Sequence, residues 1–207
     1  MQIKDRVAGV GSDVLRVMRN RLLTIEGHAT EKYFRQIFQL LPKALGIERR
    51  RTFKAFDGIN NTLNLAYTVL KWKVYRAVIR AKLEPYLGFL HSEQFGKPSL
   101  VCDLMELYRY LVDGFVIQYC KGLKKKDFAM KNEDYSSNRK GQREYLNNAL
   151  AKDMMKRLNS FFELTVEVPR IKQGKKQTVE TLINEEALLF AKYLRNEKQT
   201  WIPRVPD

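Results

Sequence analysis

The chain has 207 residues, of which 38 are lysine or arginine and 23 are aspartate or glutamate, so its formal net charge at pH 7 is +15. Its abundant aliphatic and aromatic residues exclude a disordered tail, and no apolar run approaches the roughly 20 residues that a membrane-spanning helix needs. A basic excess of this size indicates a polyanionic partner, with nucleic acid ahead of an anionic membrane surface. The start of the chain does not have the pattern of a signal peptide, and Cys102 and Cys120 lie in apolar helical contexts, which predicts reduced thiols in a cytoplasmic protein.

The first predicted element is a helix that carries a candidate site residue. Apolar residues recur with a period close to 3.6 from residue 12 to residue 41, and Pro42 follows the last of them. The apolar positions are Leu15, Met18, Leu22, Ile25, Ala29, Tyr33, Phe34, Ile37, Phe38 and Leu41. Glu26 lies inside this helix beside Gly27. A glycine inside a helix lowers stability by roughly 1 kcal/mol relative to alanine, so its presence suggests a packing or access requirement. By its position alone, Glu26 is more typical of an exposed helical acid.

Residues 47–57 form a predicted basic loop, and a long helix follows it. The loop contains the run Arg49, Arg50 and Arg51, which could grip phosphate groups or could simply be a solvated surface. Residues 60–83 form the predicted helix. Its apolar side consists of Leu63, Ala66, Leu70, Val74, Ala77, Val78 and Ala81.

His91, one of the two histidines, precedes a helix that carries two acids on nearly the same face. This helix is predicted over residues 100–122, and in it Asp103 and Glu106 are three positions apart. Charged carboxylates beside an apolar core are costly unless they are paired or bind a metal ion. On spacing alone, the simpler interpretation is a solvent-edge helix whose acids pair with Arg109 or with nearby lysines.

The C-terminal half is predicted to alternate between loops, helices and a hairpin. Residues 124–148 are rich in lysine, arginine and other polar residues, which predicts a mobile surface loop. Helices are predicted over residues 149–162 and 183–196, with two short strands between them around a turn at Gly174. The whole pattern predicts a mainly α fold, a multi-helix domain with one short β-hairpin near residues 164–182.

Residues 83–113 resemble a known family almost position by position. The sequence LEPYLGFLH, a short loop and PSLVCDLMELYRYLVD is similar to the signature of the CRISPR-associated integrase, the large subunit of the spacer-acquisition complex. The sequence LLTIEGHATEKYF, at residues 22–34, resembles an upstream motif of the same family. The connecting sequence ERRRTFKAFDGINNTLNLAYTVL is also similar, except that Gly58 stands where the family has proline.

The resemblance implies a divalent-metal site that is built from three separate segments. Its ligands would be Glu26, His91 and Glu106, and Asp103 would be a further catalytic residue that shares the metal, holds a second metal or faces the substrate. Two carboxylates and one imidazole suit Mn²⁺ well and Mg²⁺ acceptably. Such a cation polarises a phosphodiester and activates the attacking oxygen, so no protein nucleophile is required. The candidate DNA-binding residues around this acidic site are Arg49, Arg50, Arg51, Lys124, Lys125 and Lys126.

By this resemblance, the chain would be a metal-dependent DNA endonuclease and integrase of CRISPR adaptation, an antiviral defence. It would join the 3′-OH ends of spacer DNA into the repeat array by transesterification, and it would cleave branched or double-stranded DNA. Residues 1–207 would form one helical nuclease and integrase domain, without the N-terminal β-rich domain of the family. The resemblance also implies a small second subunit and, for complete family members, a homodimer to which the β-rich domain contributes. Two other interpretations stay open: a catalytically inactive DNA-binding subunit or fragment of the same complex, and a basic helical RNA-binding module.

Overall fold

A computed structural model of the chain describes residues 12–53, 55–91, 95–134, 140–167 and 176–206. Its α-helices are α1 (Ser12–Ile37), α2 (Gly58–Arg80), α3 (Ser99–Met105), α4 (Arg109–Cys120), α5 (Asn148–Phe162) and α6 (Val179–Leu194). Its strands form two antiparallel pairs, β1 (Phe128–Asp134) with β2 (Lys140–Leu146) and β3 (Thr165–Glu167) with β4 (Lys176–Thr178). The mainly α prediction is confirmed. None of the helices in the described ranges is long and apolar enough to cross a membrane.

Helix α2 lies at the centre of the fold and packs against α3, α4, α5, α6 and β2. Asp57 caps its N-terminus, because its side chain accepts the backbone N–H of Asn60. The apolar side that the sequence predicts is buried throughout, since each of its seven residues is at most 2 % exposed. Burying the leucine and valine side chains among them typically stabilises a fold by about 1.5–3 kcal/mol each, so α2 organises the core.

Helix α1 is buried only toward its C-terminal end. Phe34 and Phe38 lie in the core, whereas Leu22 and Ile25, which belong to the same predicted apolar stripe, are 55 % and 64 % exposed. The α-helix ends at Ile37, and a 3₁₀ turn (Phe38–Leu40) completes the predicted element. Glu26 therefore lies just outside the part of α1 that is anchored in the core.

The predicted helix over residues 100–122 is broken in the structure. A 3₁₀ turn (Glu106–Tyr108) separates α3 from α4, so Glu106 lies at the break rather than inside a continuous helix. Both cysteines are free thiols, and Cys120 is buried while Cys102 is half-buried.

The prediction of a loop over residues 124–148 was wrong for most of the described residues of this segment, and residues 135–139 lie outside the described ranges. This segment contains β1 and β2, whose register pairs Phe128 with Leu146 at the end nearest the core. The ring of Phe128 lies against Gly58, where any Cβ atom would overlap it. Because most residues of this strand pair are charged or polar and its anchoring contacts come from distant parts of the chain, its composition looked like that of a loop. The same contact explains why glycine stands at position 58.

The second strand pair is confirmed where the sequence predicts a hairpin, although the predicted turn at Gly174 lies outside the described residues. Helix α6 begins at Val179, four residues earlier than predicted. The C-terminal tail is docked on α6, because Trp201 Nε1 donates to Glu186 Oε1 at 2.6 Å and the Trp201 ring lies 4.5 Å from that of Phe190. Phe190 also contacts Phe89, with ring centroids 5.8 Å apart. The tail therefore supports the segment that leads into His91.

Candidate active site

His91 is held by the carboxylate of Asp103, a buried residue on α3. The imidazole Nδ1 lies 2.6 Å from Asp103 Oδ1, which also accepts the backbone N–H of His91 at 2.9 Å. The other oxygen, Oδ2, accepts the backbone N–H groups of Phe89 at 2.6 Å and Leu90 at 2.9 Å. One carboxylate thus fixes three consecutive backbone positions and the orientation of the imidazole.

This arrangement decides which nitrogen of His91 is available to a ligand. Asp103 already accepts three backbone N–H groups, so it acts as an acceptor, and the neutral imidazole carries its proton on Nδ1. Nε2 keeps its lone pair. The side chain of His91 is 18 % exposed, whereas that of Asp103 is completely buried. Both oxygens of Asp103 are engaged, which favours a positioning role for Asp103 over the direct roles that the sequence left open.

A glycine makes the contact between the His91 segment and α3 possible. A Cβ atom at Gly88 would lie 2.7 Å from Asp103 Oδ2 and 2.7 Å from Ser99 Cβ. Ser99 is fully buried at the start of α3, so it has little room to move. Gly88 therefore permits the chain to pass close enough for Asp103 to reach three successive N–H groups.

Glu106 lies within electrostatic reach of His91, but its carboxylate is paired with Arg109. Arg109 Nη1 donates to Glu106 Oε1 at 2.8 Å and to Oε2 at 2.9 Å. Burial raises the pKa of the Glu106 carboxyl above its ordinary value, Arg109 opposes this shift, and the negative charge of Glu26 adds to it. The positive charge that His91 can carry lowers the same pKa. Glu26 and His91 are thus electrostatic neighbours of Glu106.

The three predicted metal ligands are near one another but are not assembled. Glu26 is half-buried on α1, and His91 and Glu106 come from the segment before α3 and from the turn after it. Among the described residues, no group of three histidine, cysteine, aspartate or glutamate side chains is placed to hold a metal ion. The pairing of Glu106 with Arg109, which the spacing alone favoured, is confirmed.

Behind Glu106 lies a network of buried polar groups that sequence reasoning missed. Tyr67 on α2 donates from its hydroxyl to Asp113 Oδ1, and Arg109 lies with its guanidinium carbon 4.9 Å from the centroid of the Tyr67 ring. Burial raises the pKa of the Tyr33 hydroxyl above its ordinary value, and the negative charge of Asp113 adds to this shift. Burial likewise raises the pKa of Asp113, while its bonds from Tyr67 and the charge of Arg109 oppose that shift.

Arg50 is half-buried, and its side chain holds parts of the fold together even though it also lines an open groove beside α1. Its Nη1 donates to Asn60 Oδ1 at 2.9 Å, and its Nη2 donates to Asn64 Oδ1 at 2.8 Å. The guanidinium also lies over the rings of Phe34 and Tyr67, at 5.6 Å and 5.3 Å from their centroids. Since these contacts use both terminal nitrogens, Arg50 holds the basic loop on α1 and α2, which weakens its candidacy as a DNA-binding residue.

The rest of the basic loop borders a groove that begins beside Glu26. The groove has a volume of about 910 Å³. Its walls include Gly27, Arg35, Arg49, Arg51, Phe53 and Phe56. Arg49 is exposed and Arg51 half-buried, and a Cβ added at Gly27 would meet nothing within 4 Å. The space beside Glu26 is therefore open, and no packing contact of the described residues requires glycine at position 27.

The run Lys124, Lys125 and Lys126 is exposed just before β1. Lys125 Nζ lies 2.8 Å from Glu144 Oε1 on β2, so one of the three positive charges is partly neutralised. The other two remain candidates for phosphate contacts.

Comparison with known proteins identifies the family. Residues 3–150, more than half of the chain, match the family described as CRISPR associated protein Cas1. The chain belongs to the Cas1 family. The family resemblance that the His91 segment carries is thereby confirmed.

Individual relatives agree with this assignment. The CRISPR-associated endonuclease Cas1 1 of Thermodesulfovibrio yellowstonii is 36 % identical over 124 residues, which are 59 % of this chain and 39 % of that protein. The chain therefore spans about two fifths of the length of this Cas1 relative. A casposase bound to integration product is 26 % identical with a TM-score of 0.74, over 88 % of this chain and 49 % of the casposase. A Cas6-RT-Cas1–Cas2 complex shares the fold, with a TM-score of 0.73 at 22 % identity, over 96 % of this chain and 22 % of the matched chain.

Proposed function

We propose that the chain is the helical catalytic domain of a divalent-metal-dependent DNA endonuclease and integrase of CRISPR adaptation. The single observation that carries this proposal is the orientation of the His91 imidazole. Asp103 binds its Nδ1 and leaves Nε2 free. His91 and Glu26 both lie within electrostatic reach of the Glu106 carboxylate. A histidine whose second nitrogen is bound to a carboxylate is the usual arrangement of metal-ligating histidines. The family match supplies the kind of chemistry.

The residues fit a hard divalent cation, Mn²⁺ or Mg²⁺. His91 Nε2, Glu106 and Glu26 would hold it with one nitrogen and carboxylate oxygens, and the two acids, whose charges repel in its absence, favour a cation between them. When bound, the cation supplies Lewis-acid activation of a phosphodiester. Asp103 and the backbone N–H groups that it binds keep the imidazole oriented throughout.

The proposed reaction is a transesterification that needs no protein nucleophile. The 3′-hydroxyl of an incoming DNA end loses a proton, its oxygen forms a bond to phosphorus, and the 3′-oxygen of the target strand leaves and takes up a proton. With water in place of the 3′-hydroxyl, the same site cleaves DNA. The chain itself would bind and orient the strands, because its exposed Arg49, Lys124 and Lys126 neutralise phosphates beside an acidic site.

We propose DNA and a small second subunit as partners. A casposase with the same fold was solved bound to integration product, and a Cas1–Cas2 complex contains a chain of this fold. A homodimer, which the family resemblance implies for complete members, stays a prediction. We also place the reaction in the cytoplasm, where the two free cysteines would stay reduced.

The experiment that tests this proposal is cleavage and strand joining on branched DNA with Mn²⁺. Glu26→Ala, His91→Ala and Glu106→Ala should each abolish product, while Glu163→Ala, an exposed acid at the end of α5, should leave the yield unchanged. Unchanged turnover in Glu106→Ala would refute the site.

A DNA-binding subunit without turnover is the second candidate, and the pairing of Glu106 with Arg109 favours it. This candidate predicts salt-dependent DNA binding in the wild-type protein without product in Mn²⁺ or Mg²⁺. Normal DNA binding together with Mn²⁺-dependent product in the wild-type protein would reject it.

A further inference from the structure

We propose that Arg109 is an internal counter-ion that occupies Glu106 in the cation-free protein and transfers to Asp113 when a divalent cation takes the Glu106 carboxylate. This inference rests on the proposed function, because it concerns the same metal site. It assigns a positioning role to a residue that the family resemblance leaves without one.

The Glu106 carboxylate cannot serve Arg109 and a metal ion in the same way at the same time. One guanidinium nitrogen of Arg109 is within 2.9 Å of both carboxylate oxygens. A cation bound to those oxygens would lie beside a second positive charge, and the two charges would repel in a site that is only partly open to water. Metal binding therefore weakens the attraction of Arg109 to Glu106 and favours a shift of Arg109 toward another acid.

Arg109 has a second anionic partner ready on its own helix. Asp113 follows it by four residues on α4, so both side chains lie on one face of the helix. Burial raises the pKa of Asp113, and the charge of Arg109 opposes that shift, in line with their four-residue spacing on one helix face. Between them lies Tyr67, whose ring faces the guanidinium and whose hydroxyl bonds to Asp113.

Two carboxylates flank Arg109 along the chain. Glu106, which is half-buried and pairs with Arg109, precedes it by three residues, and the buried Asp113 follows it by four. Asp113 is only 3 % exposed, and a buried carboxylate gains from a charged partner. Leaving Glu106 thus does not leave Arg109 without a counter-charge.

The measurement is the affinity of the protein for Mn²⁺ alone, by electron paramagnetic resonance of free Mn²⁺, without DNA. Arg109→Gln removes the competing charge and should bind Mn²⁺ about tenfold more tightly than the wild type. Asp113→Asn removes the second partner and should bind about threefold more weakly. The double variant should bind Mn²⁺ with an affinity within about twofold of that of Arg109→Gln, because Asp113→Asn should have no further effect once Arg109 is replaced.

The double variant separates transfer from simple electrostatics. If Asp113 acts only through its negative charge, Asp113→Asn weakens binding by the same factor whether or not Arg109 is present, and the inference is wrong. Arg157→Gln is the matched control, because this exposed arginine pairs with Asp153 on α5 and its loss should leave Mn²⁺ affinity unchanged. Equal tightening in Arg157→Gln would also overturn the inference, since net charge alone would then explain the result.

A second variant keeps the test valid if Asp113→Asn does not fold. Tyr67→Phe removes the hydroxyl that occupies Asp113 Oδ1, so Arg109 can approach that oxygen and Mn²⁺ should bind more tightly. This gain should disappear in the Arg109→Gln background, and a gain that persists there contradicts the transfer. Circular dichroism and melting curves check the fold of each variant.

The failure of this inference can be distinguished from that of the proposed function. Wild-type Mn²⁺ affinity in both His91→Gln and Glu106→Gln rejects the metal site itself. Loss of binding in those two variants, with no tightening in Arg109→Gln, keeps the metal site and rejects only the role of Arg109.

Discussion

Replacing Asp103 with asparagine tests the anchoring of His91 most directly. The carboxylate accepts four hydrogen bonds, three from backbone N–H groups and one from the imidazole. An asparagine keeps one acceptor oxygen, and its NH₂ group would face donors where the other oxygen stood. If the oxygen stays at the His91 side, the backbone N–H groups of Phe89 and Leu90 lose their partner.

The size of the effect follows from this count. Each buried donor left without a partner costs about 1–3 kcal/mol, so Asp103→Asn should lower the free energy of unfolding by about 2–6 kcal/mol. Loss of a carboxylate that orients a metal-ligating histidine typically lowers metal affinity 10–100-fold. We therefore expect both stability and Mn²⁺ affinity to fall in this variant.

The assays are urea unfolding and Mn²⁺ titration on the same samples. Asp13→Asn is the matched control, because its side chain is 83 % exposed and pairs with Arg16 at the surface. It should lower the free energy of unfolding by less than about 1 kcal/mol and leave Mn²⁺ binding unchanged. The reasoning fails if Asp103→Asn costs no more than this control, or if its Mn²⁺ affinity equals that of the wild type.

Three further predictions concern the glycine, the cysteines and the basic loop. Gly88→Ala should lower the free energy of unfolding, measured with urea, by about 1–3 kcal/mol and weaken Mn²⁺ binding, because its Cβ would crowd Asp103 and Ser99. Gly114→Ala is the control, because the space around this position on α4 is open, and it should leave the free energy of unfolding unchanged or slightly higher. Burial raises the pKa of the Cys120 thiol to about 12. In a thiol-reagent assay at pH 8, Cys102 should therefore react first, and equal reaction rates of the two thiols would contradict the buried position of Cys120. Because the unfolded Cys120 thiol ionises near pH 8.5, its contribution to stability is complete below that pH and should decline as pH rises toward the folded pKa. Arg49→Gln should weaken DNA binding and reduce the slope of log affinity against log salt by about one unit, whereas Arg157→Gln should change neither, as measured by fluorescence anisotropy over a salt series.

The positions of the long helices could be predicted because each has a periodic apolar side. All seven predicted positions on α2 are buried, since a 3.6-residue period reports directly which side of a helix faces the core. The same pattern overestimated the burial of α1, where Leu22 and Ile25 remain exposed. Periodicity shows that a helix has an apolar side, but not whether another element covers it.

The strand pair formed by β1 and β2 could not be predicted from local composition. Its pairing depends on contacts distant in sequence, such as Asn61 Nδ2 donating to Glu144 O at 2.8 Å and Phe128 lying against Gly58. These contacts join residues more than 60 positions apart in the chain. A run of lysines and polar residues carries no local signal of such pairing.

The amino-acid sequence by itself determined the helical class and the family motif, because these depend on residue types and their order, and the resemblance then named Glu26, His91, Asp103 and Glu106 as candidates. Only the tertiary structure decided which partners these side chains contact. It placed Asp103 behind His91 as an anchor, turned Arg50 into a fold contact and paired Glu106 with Arg109. Hydrogen-bond partners are chosen by proximity in space, and proximity between distant segments exists only after the chain has folded.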